Sequence, residues 1–236
     1  MPREWENFIL GASFYCWTST SSSNGIRRID SATLWSPRYG EKYGLYSNTT
    51  HQQFIQKFLK LLPQPSLILD AACGAGRYTS MLLANGNQVI GSDQSQGMLS
   101  RLKAKYADVQ VEKIGLQEMH YQEVFDGALC MDAIEHVCPE DWPIVLGNFY
   151  RALKSRGYLY FTVEIAEERE VEAAFIRNQQ SGIPVVYGEW PEEGDGVYHF
   201  YPSERQIGDW IGQAGFDMVE GGEGDSYRHL IVRKGV

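Results

Sequence analysis

Basic residues are in short supply: 21 Lys and Arg stand against 30 Asp and Glu, a formal net charge of −9 over 236 residues. A field of that sign disfavours a nucleic-acid or anionic-membrane partner. No apolar run reaches membrane-spanning length. The mildly apolar residues 8–17 follow Arg3, Glu4 and Glu6, which is not the positive start of a signal peptide. Cysteine is scarce. The four residues Cys16, Cys73, Cys130 and Cys138 show neither C-x-x-C pairing nor zinc-ligand spacing. They are expected to be reduced thiols of a cytoplasmic protein without a bound metal. There is no internal repeat and no sign of a second large domain. The length does suffice for one decorated α/β domain with a sizeable core.

That core is organised around residues 67–80, LILDAACGAGRYTS. Leu67, Ile68 and Leu69 suit a strand buried on both faces. Asp70 follows, then a turn of small residues, then a segment from Arg77 to Ala84 that can be helical. Gly74 and Gly76 let the backbone approach a ligand closely, and the helix start offers unpaired N–H groups. A dinucleotide fingerprint wants G-x-G-x-x-G/A, and here the third small position holds Thr79. An acid at the strand end, with glycines four and six positions later, suits S-adenosylmethionine instead. On Asp70, Gly74 and Gly76 the chain resembles the class I S-adenosylmethionine-dependent methyltransferases, whose first motif reads roughly D-x-G-x-G-x-G. It departs from that motif at Ala72, which stands at the first glycine.

The resemblance covers roughly residues 50–236. It implies a Rossmann-like fold: a seven-stranded, mostly parallel sheet with helices on both faces, the last strand antiparallel between the fifth and sixth. The chain divides as an N-terminal arm or lid over 1–49 and a methyltransferase domain over 50–236, with 165–202 as a substrate-covering insertion. The arm is polar over 18–24 but carries Trp5, Phe8, Phe14, Tyr15 and Trp17. Those rings dock on the domain itself, over the active site, or on a second subunit. Tyr43, with Tyr39 and Tyr46 as near equals, either folds over the cofactor or packs the first helix.

In chain order, residues 50–62 form a helix with Phe54, Ile55, Phe58, Leu59 and Leu62 on one face. Thr50 and Gln53 could cap it. The second strand, 88–92, ends at Asp93, 17 residues after Gly76. That is close to where nucleoside-binding folds place the carboxylate that accepts both ribose hydroxyls, although Asp93 and Ser95 would also suit a helix cap. Gln94 lies beside it, and Met98 is an adenine wall or an ordinary core residue. The third strand is 109–114. The resemblance expects an acid after it, for the adenine amino group, where Gly115 stands; the Leu116 N–H and the Gln117 oxygen could serve there.

The fourth strand, 125–131, runs into Asp132-Ala133-Ile134-Glu135-His136-Val137, similar to the family's A-L-E-H-V segment. Met131 and Asp132 should border the methionine half of the cofactor and the acceptor. His136 is a general base, or fixes the turn through a backbone hydrogen bond. A helix over 139–153, with Lys154 and Arg156 at its C-terminal dipole and Gly157 as its stop, precedes the fifth strand, 158–164. A helix over 167–180 opens the insertion. Its aromatic residues, Tyr187, Trp190, Tyr198, Phe200 and Tyr201, could stack on a flat acceptor or hold an ammonium group. A capped helix over 203–214 and strands over 216–220 and 228–233, joined by a Gly-rich turn, close the chain.

The resemblance assigns Asp70, Ala72, Gly74, Gly76, Arg77, Asp93, Gln94, Met98, Leu116, Gln117, Met131 and Tyr43 to the cofactor. Asp132, His136 and His199 fall to catalysis, with Glu135 a further base candidate. The acids Asp70, Asp93, Asp132 and Glu164 suit a cationic cofactor. The expected acceptor is a small molecule, aromatic or an amine, methylated on N, O or C by a monomer or homodimer. Rival classes remain open. A protein methyltransferase could bind a basic peptide through Glu189, Glu192, Glu193 and Asp195. An NAD-dependent oxidoreductase would share the turn and Asp93, though Thr79 counts against it, and a non-catalytic cofactor-binding protein is the third. A nucleic-acid methyltransferase is disfavoured because residues 131–134 read MDAI rather than an N/D-P-P-Y/F motif.

Overall fold

A computed structural model describes residues 48–190 and 198–235. The expectations for the arm, for Tyr39, Tyr43 and Tyr46, for Cys16, and for Glu192, Glu193 and Asp195 lie outside the described residues.

The elements, in order, are α1 (Thr49–Leu61), β1 (Leu67–Ala71), α2 (Thr79–Leu82), β2 (Gln88–Asp93), α3 (Gln96–Lys105), β3 (Gln110–Lys113) and β4 (Phe125–Cys130). Then come α4 (Trp142–Ala152), β5 (Leu153–Glu164), α5 (Glu168–Gln180), β6 (Glu189–Trp190), β7 (His199–Phe200), α6 (Glu204–Gln213), β8 (Phe216–Gly224) and β9 (Tyr227–Lys234). Seven strands form one sheet in the order β3-β2-β1-β4-β5-β9-β8. The first five are mutually parallel, and β9 runs antiparallel between β5 and β8. The fold is thus the Rossmann-like, doubly wound sheet the resemblance implies.

The apolar strands are buried on both sides because successive side chains point to opposite faces. Ile68, Leu129, Tyr160 and Ile231 pack with α1, α2 and α3 in one cluster. Leu69, Ala128, Leu159 and Leu230 pack with α4 and α6 in the other, around Trp142, Phe149 and Ile207. Gly127 is there for close approach: a Cβ on it would lie 2.6 Å from Phe58 Cζ of α1. The β6–β7 ribbon is seated on the second face by Phe200, whose ring lies 6.1 Å from Trp142 and 6.0 Å from Trp210. No helix among the described residues is long and apolar enough to cross a membrane.

Several local expectations are corrected. Asn48, not Thr50, caps α1: its Oδ1 accepts from the His51 N–H at 2.7 Å. The Thr50 N–H instead donates to Asp225 Oδ2 at 3.0 Å, tying α1 to the distant β8–β9 turn. The helix expected over 77–84 is only the single turn of α2, because the preceding residues are committed to the loop. Lys154, Arg156 and Gly157 belong to β5 rather than a helix end. Leu153 pairs with Phe125, an irregularity follows, Arg156 takes φ 64°, and a Cβ on Gly157 would crowd the Lys154 carbonyl at 3.0 Å. The final hairpin turns at Asp225 and Ser226, both left-handed, as a two-residue primed turn requires. The glycines lie inside β8, where Gly222 and Gly224 make room for Phe54 and Thr50 of α1. Cys73 and Cys130 are buried free thiols.

Candidate active site

The chain leaves β1 toward β2 on one side and reaches β4 on the other, so β1 and β4 flank the switch point where such sheets bind ligands. The carboxyl ends of β2, β1, β4 and β5 bring Asp93, Asp70, Asp132 and Glu164 to one edge.

The turn after β1 is a run of left-handed residues at alternate positions: Ala72 (φ 51°), Gly74 (φ 53°) and Gly76 (φ 76°). The Cys73 N–H donates to the Ser92 carbonyl at 3.0 Å and holds the turn against β2. At Gly76 a Cβ would meet Thr79 Oγ1 at 2.8 Å and Leu102 at 3.1 Å, so glycine is needed for packing. Among the described residues no atom lies within 4 Å of a Cβ position on Gly74, so they leave the turn open there. Ala72 occupies a conformation that costs an L-residue about 1–2 kcal/mol, partly offset by the lower entropy of an unfolded alanine. Ala72→Gly is therefore expected to stabilise the protein by about 0.5–1 kcal/mol, read as a higher midpoint at unchanged slope in urea denaturation. A destabilised variant would show that the alanine methyl makes contacts worth more than the strain.

Asp93 stands across from that opening. Its Oδ2 accepts from the Gly74 N–H at 2.9 Å and its Oδ1 from the Ser95 N–H at 2.7 Å. Ser95 is the N-cap of α3. Burial raises the Asp93 pKa, and those two backbone bonds oppose the rise. A carboxylate has about four acceptor positions, so both oxygens keep capacity for further donors. Asp70 is 5% exposed, and burial pushes its pKa up to about 7; the Thr79 hydroxyl opposes this, and Asp93 adds to it. Gln94 is partly buried beside Asp93, and Met98 is buried on α3.

Leu116 and Gln117 sit in a short turn held by Asn148 of α4, whose Nδ2 donates to both their carbonyls at 2.8 and 2.9 Å. Burial raises the Asp141 pKa and the Gln117 side chain opposes the rise. Leu116 is part of the α4-side cluster and Met131 of the α1-side cluster.

Asp132 leaves β4 in a left-handed conformation, φ 50°, with its N–H donating to Thr162 Oγ1 at 3.0 Å. Its Oδ2 accepts from Arg77 Nη1 at 2.5 Å. Arg77 therefore links the turn after β1 to the end of β4. Burial raises the Asp132 pKa and the Arg77 charge opposes it. Glu135 is 2% exposed, its pKa raised by burial and then by Asp132. His136 and His199 lie together, rings 4.7 Å apart, but on the insertion side of the site. His136 Nδ1 meets the Tyr198 carbonyl at 2.9 Å, and His199 Nε2 lies 3.4 Å from Glu164. Tyr198 in turn donates to Glu189 Oε1 at 2.9 Å.

His51 escaped the sequence reading. It is fully buried on α1, 3.5 Å from Asp132 Oδ1 through Nε2. The available signal was its place on the α1 stripe, three and four residues before Phe54 and Ile55: a polar side chain on an apolar face. Among the described residues no group of three or more His, Cys, Asp or Glu is arranged to hold a metal ion.

A methyltransferase-domain family model matches residues 69–161, from within β1 into β5. The ubiquinone biosynthesis O-methyltransferase of Histophilus somni is 32% identical over 139 residues, 54% of this chain and 57% of that protein. The malonyl-[acyl-carrier protein] O-methyltransferase of Hamiltonella defensa is 28% identical over 113 residues, 47% of this chain and 43% of that one. The chain thus spans about half the length of the curated relatives it matches. In fold it is similar to the 1,6-didemethyltoxoflavin-N1-methyltransferase of Burkholderia thailandensis, solved with that compound and S-adenosylhomocysteine bound. The TM-score is 0.65 at 16% identity over 84% of each chain. It is also similar to magnesium protoporphyrin IX methyltransferase from Synechocystis, solved with S-adenosylhomocysteine, with a TM-score of 0.60 at 19% identity over 84% of this chain and 92% of that one. The matched span takes in the turn after β1, Asp93 and Asp132, and over it the chain is similar to S-adenosylmethionine-dependent methyltransferases, whose fold it shares.

Proposed function

We propose that the protein transfers a methyl group from S-adenosylmethionine to an N, O or C nucleophile of a small molecule by in-line displacement. The observation that carries the reading is the face of Gly74 beside Asp93, where a Cβ would meet no atom of the described residues and both carboxylate oxygens keep acceptor capacity. That pairing fits a nucleoside ligand. Asp93, with Gln94, would take the ribose hydroxyls. Met98, Leu116 and Gln117 would border the adenine. Asp70, Ala72, Gly74, Gly76, Arg77 and Met131 would hold the amino-acid end, and Tyr43 would cover it.

When bound, the cofactor supplies an already activated sulfonium methyl. The chain must then hold the acceptor nucleophile in line, about 3 Å away, and exclude water. Asp70, Asp132 and Glu164 give the edge a negative potential that favours a cationic ligand. Asp132 faces the acceptor. His136 and His199 join the turn after β4 and the end of β5 to the β6–β7 ribbon, so the insertion over 165–202 is braced as the acceptor's cover. The domain spans 50–236 in this reading, with 1–49 as an arm.

Incubation with methyl-labelled S-adenosylmethionine and either metabolite extract or a peptide pool tests the acceptor class. Label is expected in the metabolite fraction. Label in peptides alone would replace the small-molecule acceptor with a protein.

A further inference from the structure

Two buried polar atoms at the end of β4 face each other without a hydrogen bond. Among the described residues Asp132 Oδ1 and His51 Nε2 each lack a hydrogen-bond partner, and they lie 3.5 Å apart. That gap is just beyond a normal N–H···O bond. Orphaned buried polar groups are rare enough to require a reason. The His51 Nδ1 lies 2.5 Å from the Tyr78 hydroxyl. Tyr78 immediately follows Arg77, which holds the other oxygen of the same carboxylate. One carboxylate is thus gripped from the turn after β1 on one oxygen and approached from α1 on the other.

We propose that His51 is a positioning residue for Asp132, donating from Nε2 to Oδ1 while Tyr78 donates into Nδ1. The proposal rests on the methyl-transfer reading, with the Asp132 carboxylate as the group that takes the acceptor's proton. The acceptor's lone pair forms the new bond to carbon, the carbon–sulfur bond breaks with its pair on sulfur, and the acceptor's proton passes to the Asp132 carboxylate.

The tautomer follows from the surroundings. His51 packs edge-on against Tyr227 of β9 at 4.9 Å, His229 of β9 at 5.1 Å and Tyr78 at 5.7 Å. Burial, then His229 and Arg77, keep its ring neutral against the opposing charge of Asp225. A neutral imidazole has one N–H and one bare lone pair. With the proton on Nδ1, the bare Nε2 would point at a carboxylate oxygen, lone pair against lone pair in a buried site. With the proton on Nε2, both contacts are satisfied: Tyr78 to Nδ1, and Nε2–H to Oδ1. The groups acting on Asp132 are Arg77, His51, Glu135 of the next turn, Tyr160 of β5, Tyr227 of β9 and Cys130 of β4. Burial opposes its ionised form, Arg77 and the Thr162 hydroxyl favour it, and an Nε2–H donor from His51 would add to them. Removing the His51 donor therefore raises the proton affinity of Asp132.

The first test uses the ligand-free protein and no turnover. Long-range proton–nitrogen NMR of the uniformly labelled protein, with the His51 ring assigned by its loss in His51→Phe, reads the tautomer. The expected result is the neutral Nε2–H form throughout about pH 5.5–8. An Nδ1–H tautomer or an imidazolium in that range would overturn the proposal.

The second test follows methyl transfer into metabolite extract. His51→Phe is expected to lower kcat about 10–100-fold and to move the acidic limb of its pH profile up by about one unit, while His51→Gln, which keeps a donor, restores most of the rate. S-adenosylhomocysteine affinity should change less than about threefold in both variants. Equal loss in the two variants with an unmoved pH limb would reduce His51 to packing and overturn the proposal. Wild type that fails to bind S-adenosylhomocysteine would instead overturn the methyl-transfer reading, and the tautomer would still report on the His51–Asp132 contact.

Discussion

Replacing Asp70 by asparagine is expected to stabilise the ligand-free protein by about 2–4 kcal/mol near pH 8, raising Tm by roughly 5–10 °C, while weakening S-adenosylmethionine binding. Asp70 ends the central strand with its carboxyl buried, and among the described residues its one side-chain donor, Thr79 Oγ1, is distant at 3.4 Å. Burial pushes its pKa up to about 7, against 3.8 for an ordinary aspartate. The folded chain therefore keeps a proton between about pH 4 and 7 that the unfolded chain has lost. The stabilisation from that proton is fully present below about pH 4 and disappears as the pH rises through 7. Above that, the buried charge is a standing penalty of about 4 kcal/mol, which an amide removes less the cost of its imperfectly satisfied N–H groups. His51 and His229, kept neutral by burial, act with the opposite sign in the same window, but they are common to both proteins and cancel in the difference. The check is thermal unfolding of both proteins from about pH 4 to 9: the Tm difference should open with pH and level off above 7. A difference that does not depend on pH would contradict the assigned cause. A site arranged to meet a cation carries this kind of stability penalty, which fits the role proposed for Asp70.

Asp93→Ala is expected to lower S-adenosylhomocysteine affinity about 100-fold or more, because each hydrogen bond to a charged acceptor contributes about 1.5–3 kcal/mol and the ribose offers two. A second loss adds to the first. The Gly74 and Ser95 N–H groups both bond this carboxylate, so its removal also loosens the turn and the start of α3. The carboxylate that would meet the ligand is the same one that shapes the loop around it. Circular dichroism and a urea midpoint for the variant separate the two contributions. A folded variant with weak binding locates the loss at the ribose, and a midpoint shifted by several kcal/mol would assign it to the loop.

Much of this was legible in the sequence because the relevant signals are local. The apolar triplet of Leu67, Ile68 and Leu69, the spacing from Asp70 to Gly74 and Gly76, and Asp93 at the next strand end all lie within thirty residues. The capping box of Ser203 and Gln206 on α6 formed as read. The errors arose where a distant element decides. The glycines of β8 look like a turn until α1 is laid against them, since only then is the space beside Gly222 and Gly224 taken by Phe54 and Thr50. Lys154, Arg156 and Gly157 look like a helix stop until Leu153 is paired with Phe125. The site divided in the same way. Motif positions were recoverable, whereas His51 reaches Asp132 across 81 positions of sequence and nothing in its own neighbourhood announces the contact. Ala72 was recoverable as a departure from the motif, but its left-handed backbone was not.

The central claim is that the turn after β1 and the carboxylate of Asp93 hold S-adenosylmethionine. Calorimetric titration of the wild-type protein with S-adenosylhomocysteine, with Asp93→Ala and NAD run in parallel, tests it most directly. The account predicts micromolar one-to-one binding to wild type, loss of that binding in the variant, and no heat with NAD. Well-folded wild type that ignores S-adenosylhomocysteine, or that prefers NAD, would contradict it.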